Sequence, residues 1–173
     1  QDWYKVSVAE DAKQILRASA TGVDGLDLTL SVADSLGNTI LAIDNAGKGH
    51  PETLTSLGVT KGDYYLIISE KTGRKANSDQ TYTLSKSLVP WQPGLEYELN
   101  DSTSAVQQIK IGEAVDGYFG WQGDVDVYEF NVYNKGTVIF ELAGVINVQP
   151  VATLFDQESN ELQTWTAGKV GDS

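Results

Sequence analysis

Two short stretches of this sequence hold the side chains that are best suited to binding a cation. They are EYELND at 96–101 and GDVDVY at 123–128. Six of their residues carry carboxylate or amide oxygens: Glu96, Glu98, Asn100, Asp101, Asp124 and Asp126. Because alternate residues of an extended chain face the same side, the first stretch presents a row of oxygens, and the second presents two carboxylates on one side of a strand.

A divalent cation is the expected partner of these oxygens. Ca²⁺ takes about six to eight oxygen ligands, mostly carboxylates and carbonyls, and carboxylates packed together without a cation repel one another. We therefore predict a Ca²⁺ site formed by the two stretches. Five carboxylates exceed the charge of one Ca²⁺, so two adjacent ions also fit. The alternative is that these acids are solvated residues near turns, where Asp and Asn are common.

The charge of the chain favours cations and disfavours nucleic acid as a partner. The 173 residues carry a net charge of −12, which would repel the phosphates of DNA or RNA. Residues 1–88 contain 11 acids and 9 bases, whereas residues 89–173 contain 13 acids and 3 bases. There is no Cys, so disulfides and thiolate metal sites are excluded. No apolar run reaches about 18 residues, so we expect no membrane-spanning segment.

Catalytic chemistry has few candidate residues. The single histidine, His50, lies in a glycine-rich loop, with Asp44 and Asp63 near it in the sequence. These residues do not indicate a set of nucleophile, base and acid, and no known hydrolase or nucleotide-binding motif occurs. We predict that the chain is not an enzyme. A hydrolase with two acids across a groove is the remaining catalytic alternative.

Aromatic residues are the second candidate for a binding function. Tyr118 and Trp121 in YFGW and Trp165 in TWT lie in positions where they could project from loops. β-Sandwich modules hold sugars or extended chains by stacking on such rings. The alternative is that these side chains belong to the core, since half of the residues on a strand of period two face inward.

Apolar residues alternate with polar ones along nearly the whole chain. The alternation has period two, Val, Ile, Tyr and Thr are frequent, and Gly, Asn and Asp separate the runs. This pattern is typical of short antiparallel strands, and it predicts an all-β protein with an antiparallel, jelly-roll-like β-sandwich. For residues 7–16, the only stretch that resembles a helix, we predict a strand, a turn and a strand.

The sequence repeats itself on either side of VPWQPG, residues 89–94. An aromatic strand after Asp, a second strand, and a third strand that ends in Asp and a turn occur in the same order twice. The matching pairs are DWYKVSV and DVYEFNV, KQILRASA and GTVIFELA, and TLSVADSLGNTI and VATLFDQESNEL. The repeat predicts two tandem modules, at 1–88 and 96–173, joined by a proline-rich linker at 89–95.

Taken together, the two copies resemble the bacterial pre-peptidase C-terminal domain, which is related to the collagen-binding domains of clostridial collagenases. The segments that carry the resemblance are ELNDSTSAVQQIKIG, GDVDVYEFNV, LDLTLSVADSLGN, PETL, KGDYYLIIS and TYTLS. The first copy lacks the ELND segment, and the second copy lacks counterparts of GDYYLII and TYTLS. Each module is therefore expected to be incomplete, and open sheet edges invite strand exchange or dimer formation.

The resemblance implies a function as well as a fold. Members of the family bind calcium through residues that match the acidic positions named above, and the ion docks the N-terminal segment onto the sandwich. We expect a calcium-stabilised accessory module of a secreted, periplasmic or cell-surface bacterial protein, which stabilises, targets or anchors it. The alternative is a module that binds a collagen-like protein or a polysaccharide of the extracellular space through exposed aromatic residues.

Overall fold

Alternating apolar residues form short strands along the chain in the computed structural model, which describes residues 1–9 and 13–168. In chain order, the strands of the described residues are β1 (Asp2–Val8), β2 (Gln14–Ala20), β3 (Leu28–Ala33), β4 (Thr39–Ile43), β5 (Glu52–Val59), β6 (Gly62–Glu70), β7 (Leu84–Pro90), β8 (Tyr97–Glu98), β9 (Gln107–Gln108), β10 (Tyr128–Glu129), β11 (Val151–Phe155) and β12 (Glu161–Thr166). No helix among these residues is long and apolar enough to cross a membrane.

Two four-stranded sheets make up the larger part of the fold. One has the order β1-β6-β3-β4 and the other has the order β7-β2-β5-β8. All of the pairs are antiparallel except the pair between β5 and β8, which is parallel. The strand, turn and strand predicted for residues 7–16 correspond to the end of β1 and the start of β2. Residues 10–12 of the predicted turn lie outside the described residues.

Inward-facing side chains of both sheets form one apolar core. Leu16 of β2 and Leu57 of β5 meet Leu30 of β3 and Leu66 of β6, and all four are completely or almost completely buried. Burial of this kind is the main favourable term in folding. The prediction of an all-β, sandwich-like fold with antiparallel sheets is confirmed. The prediction of two tandem modules is not confirmed.

The predicted linker at 89–95 lies within the first of two compact units. This unit comprises residues 1–131, and the second begins at Val132 and is described as far as Gly168. The ring of Trp91 packs edge-on against Tyr97 at 6.0 Å between centroids, and Lys13 Nζ lies 3.7 Å from the Tyr97 ring centre. The proposed boundary at 89–95 stays a prediction about the sequence repeat, because the compact units divide after Asn131.

The second unit contains one antiparallel hairpin, β11–β12, among its described residues. Many of its large apolar side chains are exposed, and the most exposed are those of Tyr133, Ile139 and Ile146. The alternation that predicted strands in this part of the sequence is therefore realised only in the hairpin. The stretch 136–143, which matches β2 in the sequence repeat, contains no strand.

The turns of β3–β4 and β11–β12 have the same hydrogen bonds. The Asn38 backbone N–H and side-chain amide donate to the Asp34 carboxylate at 2.8 Å. The Asn160 backbone N–H and side-chain amide donate to the Asp156 carboxylate at 2.9 and 3.0 Å. In both hairpins the pairing register shifts between the last two residues of the first strand. The two turns share the sequence D-x-x-x-N, in which Asp and Asn supply the hydrogen bonds that close the turn.

Candidate metal centre

Two buried glutamates and a buried asparagine lie together at the edge of the sandwich. Glu96 and Glu98 are 3% and 2% exposed, and Asn100 is fully buried. Carboxylate oxygens of Glu96, Glu98 and Asp126 lie within 4.8 Å of one another. A cluster of acidic residues that could hold a metal ion is therefore present where the sequence predicts one. We call Glu96, Glu98, Asn100, Asp124 and Asp126 the candidate metal centre, and residues 95–131 the acidic segment.

The parallel pair β5–β8 holds Glu96 and Glu98 in place. Tyr97 pairs with Gly58, and Glu98 pairs with Val59. A Cβ on Gly58 would collide with the carbonyl oxygen of Glu96 and come within 2.8 Å of the Tyr97 Cα, so glycine is required for this close approach. The carbonyl of Glu98 also accepts a hydrogen bond from the Tyr64 hydroxyl at 3.2 Å, which fixes the strand to the core.

The second half of the acidic segment lies against the first half. The Glu96 backbone N–H donates to Asp116 O, and the Val127 N–H donates to Asn100 O, both at 2.9 Å. These bonds bring the strand-like stretch 124–128 beside 96–100. Their effect is to place Asp126 opposite the two buried glutamates, although Asp126 is about 30 residues distant in the sequence.

Glu96 accepts hydrogen bonds through one of its oxygens. The backbone N–H of Tyr118 donates to Glu96 Oε2 at 3.1 Å, and the hydroxyl of Tyr128 donates to the same atom at 3.2 Å. A Cβ on Gly117 would overlap this oxygen. The other oxygen, Oε1, is therefore left free to face the centre of the cluster.

Asp124 connects the centre to the first sheet. Its Oδ2 accepts a hydrogen bond from the backbone N–H of Gly120, and the carbonyl of Gly120 accepts one from Ala42 of β4 at 3.0 Å. The loop that carries Asp124 is thus tied to the edge of the sandwich. The centre rests on β4 on one side and on β5 on the other.

Six buried polar atoms of the centre have no hydrogen-bond partner. They are Glu96 Oε1, Glu98 Oε2, Asn100 Oδ1, Asn100 Nδ2, Asp124 Oδ1 and Asp126 Oδ1. A buried polar atom without a partner costs about 1–3 kcal/mol, and more if it is charged, so native proteins contain only a few of them. Six in one place, five of them oxygens, indicate a site suited to a ligand that accepts electron pairs.

Burial and mutual repulsion shift the protonation of the acids in the absence of a cation. Burial, followed by the charge of Glu96, raises the pKa of Glu98 to about 9. Burial, followed by the charges of Glu96 and Asp124, raises the pKa of Asp126 to about 7. The pKa of Glu96 is raised chiefly by burial. A divalent cation would reverse these shifts, because it stabilises the charged form of each carboxylate.

The donor set suits a hard cation. All of the free acceptor atoms are carboxylate or amide oxygens, the ligands that Ca²⁺ prefers, and neither His nor Cys belongs to the centre. Of the six residues predicted from the sequence, five lie in the centre. Asp101 is exposed at its margin, and its pKa is raised by burial of its carboxyl group and by the charge of Asp124.

Tyr128, Gly117 and Gly58 also shape the centre, and the sequence reasoning missed them. Tyr128 could have been found, because it continues the two-residue spacing of Asp124 and Asp126. Burial, followed by the charge of Glu96, raises the pKa of the Tyr128 hydroxyl, which keeps it a hydrogen-bond donor. The two glycines carry no such signal, because their role depends on backbones that meet only in the folded chain.

The aromatic residues predicted to bind a ligand do not form one surface within a unit. Tyr118 is half-buried against the core, with its hydroxyl 3.3 Å from Ser56 Oγ. Trp121 is exposed in the first unit, and Trp165 is exposed in the second, next to Phe140. A pair that was not predicted from the sequence, the exposed Trp3 and the half-buried Tyr65, makes an edge-to-face contact at 5.8 Å between ring centroids.

The residues considered for catalysis are engaged in other contacts. His50 is exposed. Asp44 forms an ion pair with Lys71 at 2.7 Å, and Asp63 forms one with Lys5 at 2.8 Å. A comparison of the chain with protein-family models, curated proteins and solved structures found no match. The residues that indicate a function are therefore those of the candidate metal centre.

Proposed function

We propose that this chain binds Ca²⁺ in the candidate metal centre and that the ion fastens the acidic segment to the sandwich. The observation that carries the proposal is the group of five buried oxygens without partners. They belong to residues from both ends of the acidic segment, so one ion bound between them would link 96–100 to 124–126. With five acidic or amide side chains, the centre has enough ligands for one Ca²⁺ and enough negative charge for two.

Fastening is the effect that such an ion would have in this fold. β8 is only two residues long, and the acidic segment otherwise relies on isolated hydrogen bonds, such as that from Thr60 to Glu98 O at 3.3 Å. Without a cation, the negative charges of the Glu96, Glu98 and Asp126 carboxylates repel one another at short range. Binding of Ca²⁺ converts this repulsion into attraction, so the acidic segment should dock most firmly when the ion is present.

The wider role follows from the resemblance to the pre-peptidase C-terminal domain. We propose a non-catalytic accessory module of a secreted, periplasmic or cell-surface bacterial protein, which stabilises, targets or anchors that protein. Two features support this role: the buried acids match the calcium positions that the resemblance implies, and the ion would have a structural effect on the module rather than a place in a reaction.

Thermal unfolding tests the cation site. The chain is melted in EDTA and then with millimolar Ca²⁺, for the unchanged protein, for Asp126→Asn, and for the exposed control Asp79→Asn. Because a ligand that binds only the folded form stabilises by RT ln(1 + [L]/Kd), an excess of about 100 Kd adds about 2.7 kcal/mol. We expect a rise in melting temperature that Asp126→Asn abolishes and Asp79→Asn retains. An equal melting temperature with and without Ca²⁺ in the unchanged protein would falsify the proposal.

The contact between Trp3 and Tyr65 favours a second candidate function. Both rings lie on the first sheet, on neighbouring strands β1 and β6, and Trp3 is 49% exposed whereas Tyr65 is half-buried. An aromatic pair with one exposed ring suits stacking against a polysaccharide or an extended protein chain, and the ion pair of Lys5 with Asp63 on the same two strands supplies polar groups. Quenching of tryptophan fluorescence by a soluble polysaccharide, lost in Trp3→Ala and kept in Trp121→Ala, would support this function.

A further inference from the structure

Strand β11 has an open edge where its equivalent, β3, has a neighbour. In the first sheet, β3 lies between β4 and β6. In the second unit, β11 pairs with β12 alone among the described residues. The two hairpins share their turn hydrogen bonds and their register shift, so the position that β6 occupies beside β3 is the position left open beside β11.

The backbone of β11 presents unpaired groups at this edge. Pro150 O accepts a hydrogen bond from Ala167 N on the β12 side. Backbone groups alternate between the two edges of an antiparallel strand, so the N–H and C=O groups of Val151 and Thr153 point to the side away from β12. An open edge of this kind is a ready template for pairing with another strand.

The apolar side chains of the second hairpin are uncovered in the same way. Leu162 and Trp165 occupy the positions that correspond to Ile40 and Ile43 on β4. Ile40 and Ile43 are 3% and 7% exposed, whereas Leu162 and Trp165 are 58% and 45% exposed. Large exposed side chains at positions that are buried in a hairpin with the same turn and register mark an apolar surface suited to binding a partner.

We propose that the open edge of β11 accepts an extended strand from a partner polypeptide, antiparallel to β11 and with apolar residues at alternate positions. The chemistry of this strand is that of β6, GDYYLIISE, whose Tyr64, Leu66 and Ile68 face the core of the first unit. By the register of β3 with β6, Leu154 would lie opposite the residue equivalent to Leu66, and Ala152 opposite the residue equivalent to Ile68.

β6 of a second copy is not the strand that the structure favours. It is paired on both sides, by β1 and by β3, and Leu66 and Ile68 are completely or almost completely buried in the core. Transfer of β6 to another molecule would expose this core, leave β1 without a partner and open one edge of β3. A separate polypeptide that presents a free strand meets no such cost, and its main-chain hydrogen bonds would supply the affinity.

Amide hydrogen exchange of the full chain with a synthetic peptide tests the proposal. The probe is KGDYYLIISEK, residues 61–71, and the matched control is the same peptide with Ser at the positions of Tyr64, Leu66 and Ile68. We expect the probe to slow exchange of the Val151 and Thr153 amides by roughly tenfold or more, as pairing of a frayed edge does, and the control to have no effect. Unchanged exchange, or equal protection by both peptides, overturns the proposal.

A backbone variant and a measurement of mass complete the test. Thr153→Pro removes the N–H group that the partner strand needs, whereas Thr153→Val keeps it; we expect only Thr153→Pro to abolish the protection of the Val151 amide by the probe. If sedimentation shows that the chain alone forms dimers and the same amides are already protected in them, the occupant is a second copy and the proposal is overturned. Retained protection in Thr153→Pro also contradicts it.

Discussion

The hairpins β3–β4 and β11–β12 have the same turn but differ in how far their side chains are buried. Each turn is closed by an aspartate and an asparagine four residues apart, with hydrogen bonds of 2.8 to 3.2 Å. The first hairpin lies in a four-stranded sheet over a buried core, and the second stands as a two-stranded sheet with exposed apolar residues. Local sequence therefore builds the hairpin, and strands from elsewhere in the chain decide whether it is buried.

β2 and the stretch that matches it in the sequence repeat, residues 136–143, differ even more than the two hairpins do. β2 lies between β5 and β7, and its Leu16 is fully buried. The matching stretch at 136–143 has no strand, and Ile139, which corresponds to Leu16, is 80% exposed. Among the described residues, no strand pairs with this stretch, whereas β2 has a strand on each side.

Replacement of Leu16 and of Ile139 by alanine should give the largest difference in the free energy of unfolding. Leu16→Ala is expected to lower the free energy of unfolding by about 2–5 kcal/mol, because it removes buried methyl groups and leaves a cavity. Ile139→Ala is expected to change it by less than about 0.5 kcal/mol, as for other exposed residues. Urea unfolding followed by circular dichroism measures both values. A cost above about 2 kcal/mol for Ile139→Ala would show that this residue is packed, and would break the contrast.

The pH dependence of the cation-free chain should separate the buried acids from the aspartates of the turns. The pKa values of Glu98 and Asp126 are raised to about 9 and about 7, so the folded state holds protons that the unfolded state has released. Stability in EDTA should therefore fall as the pH rises from about 5 to about 9. We expect a decrease in melting temperature of about 5–10 °C, and Ca²⁺ should remove most of it.

The aspartates of the two turns affect the pH dependence of stability in the opposite direction from the buried acids of the candidate metal centre. Burial raises the pKa of Asp34, but hydrogen bonds from Asn38 and from backbone amides outweigh it, so that the pKa is lowered overall. The ionised Asp34 therefore stabilises the folded state above the ordinary pKa of Asp, and this stabilisation is lost as the pH falls through the lowered pKa of the folded state. A melting temperature in EDTA that rises steadily from about pH 5 to about pH 9 would contradict the prediction for the buried acids.

Replacement of the turn aspartates should give the smallest effect and the sharpest comparison of the hairpins. Asp34→Ala removes hydrogen bonds to two backbone amides and to Asn38, and we expect it to lower the free energy of unfolding of the first unit by about 1–2 kcal/mol. Asp156→Ala should leave this value unchanged within about 0.5 kcal/mol and should speed amide exchange in β11 and β12. Equal destabilisation of the first unit by both variants would show that the two hairpins unfold together.

Much of the fold and of the candidate metal centre was predictable from the sequence, for local reasons. Period-two alternation predicts strands because the side chains of a strand alternate between its faces. The spacing of Glu96, Glu98 and Asn100 predicts a row of oxygens for the same reason. Asp101 breaks this spacing, and it is the one predicted residue that lies outside the centre. The boundary between the compact units, after Asn131, was not predictable, because it depends on which strands pair with one another in the folded chain.

Local sequence specifies the strands of the sandwich, the turns of the two hairpins and the residue types of a cation site, because each follows from the alternation or the hydrogen-bonding capacity of neighbouring residues. Three features arise only in the folded chain: β8 pairs with β5, Asp126 faces Glu96 and Glu98, and many of the large apolar side chains described after Val132 stay exposed. Burial, and with it the raised pKa of Glu98, exists only when distant segments meet. The pattern of a single segment therefore cannot specify it.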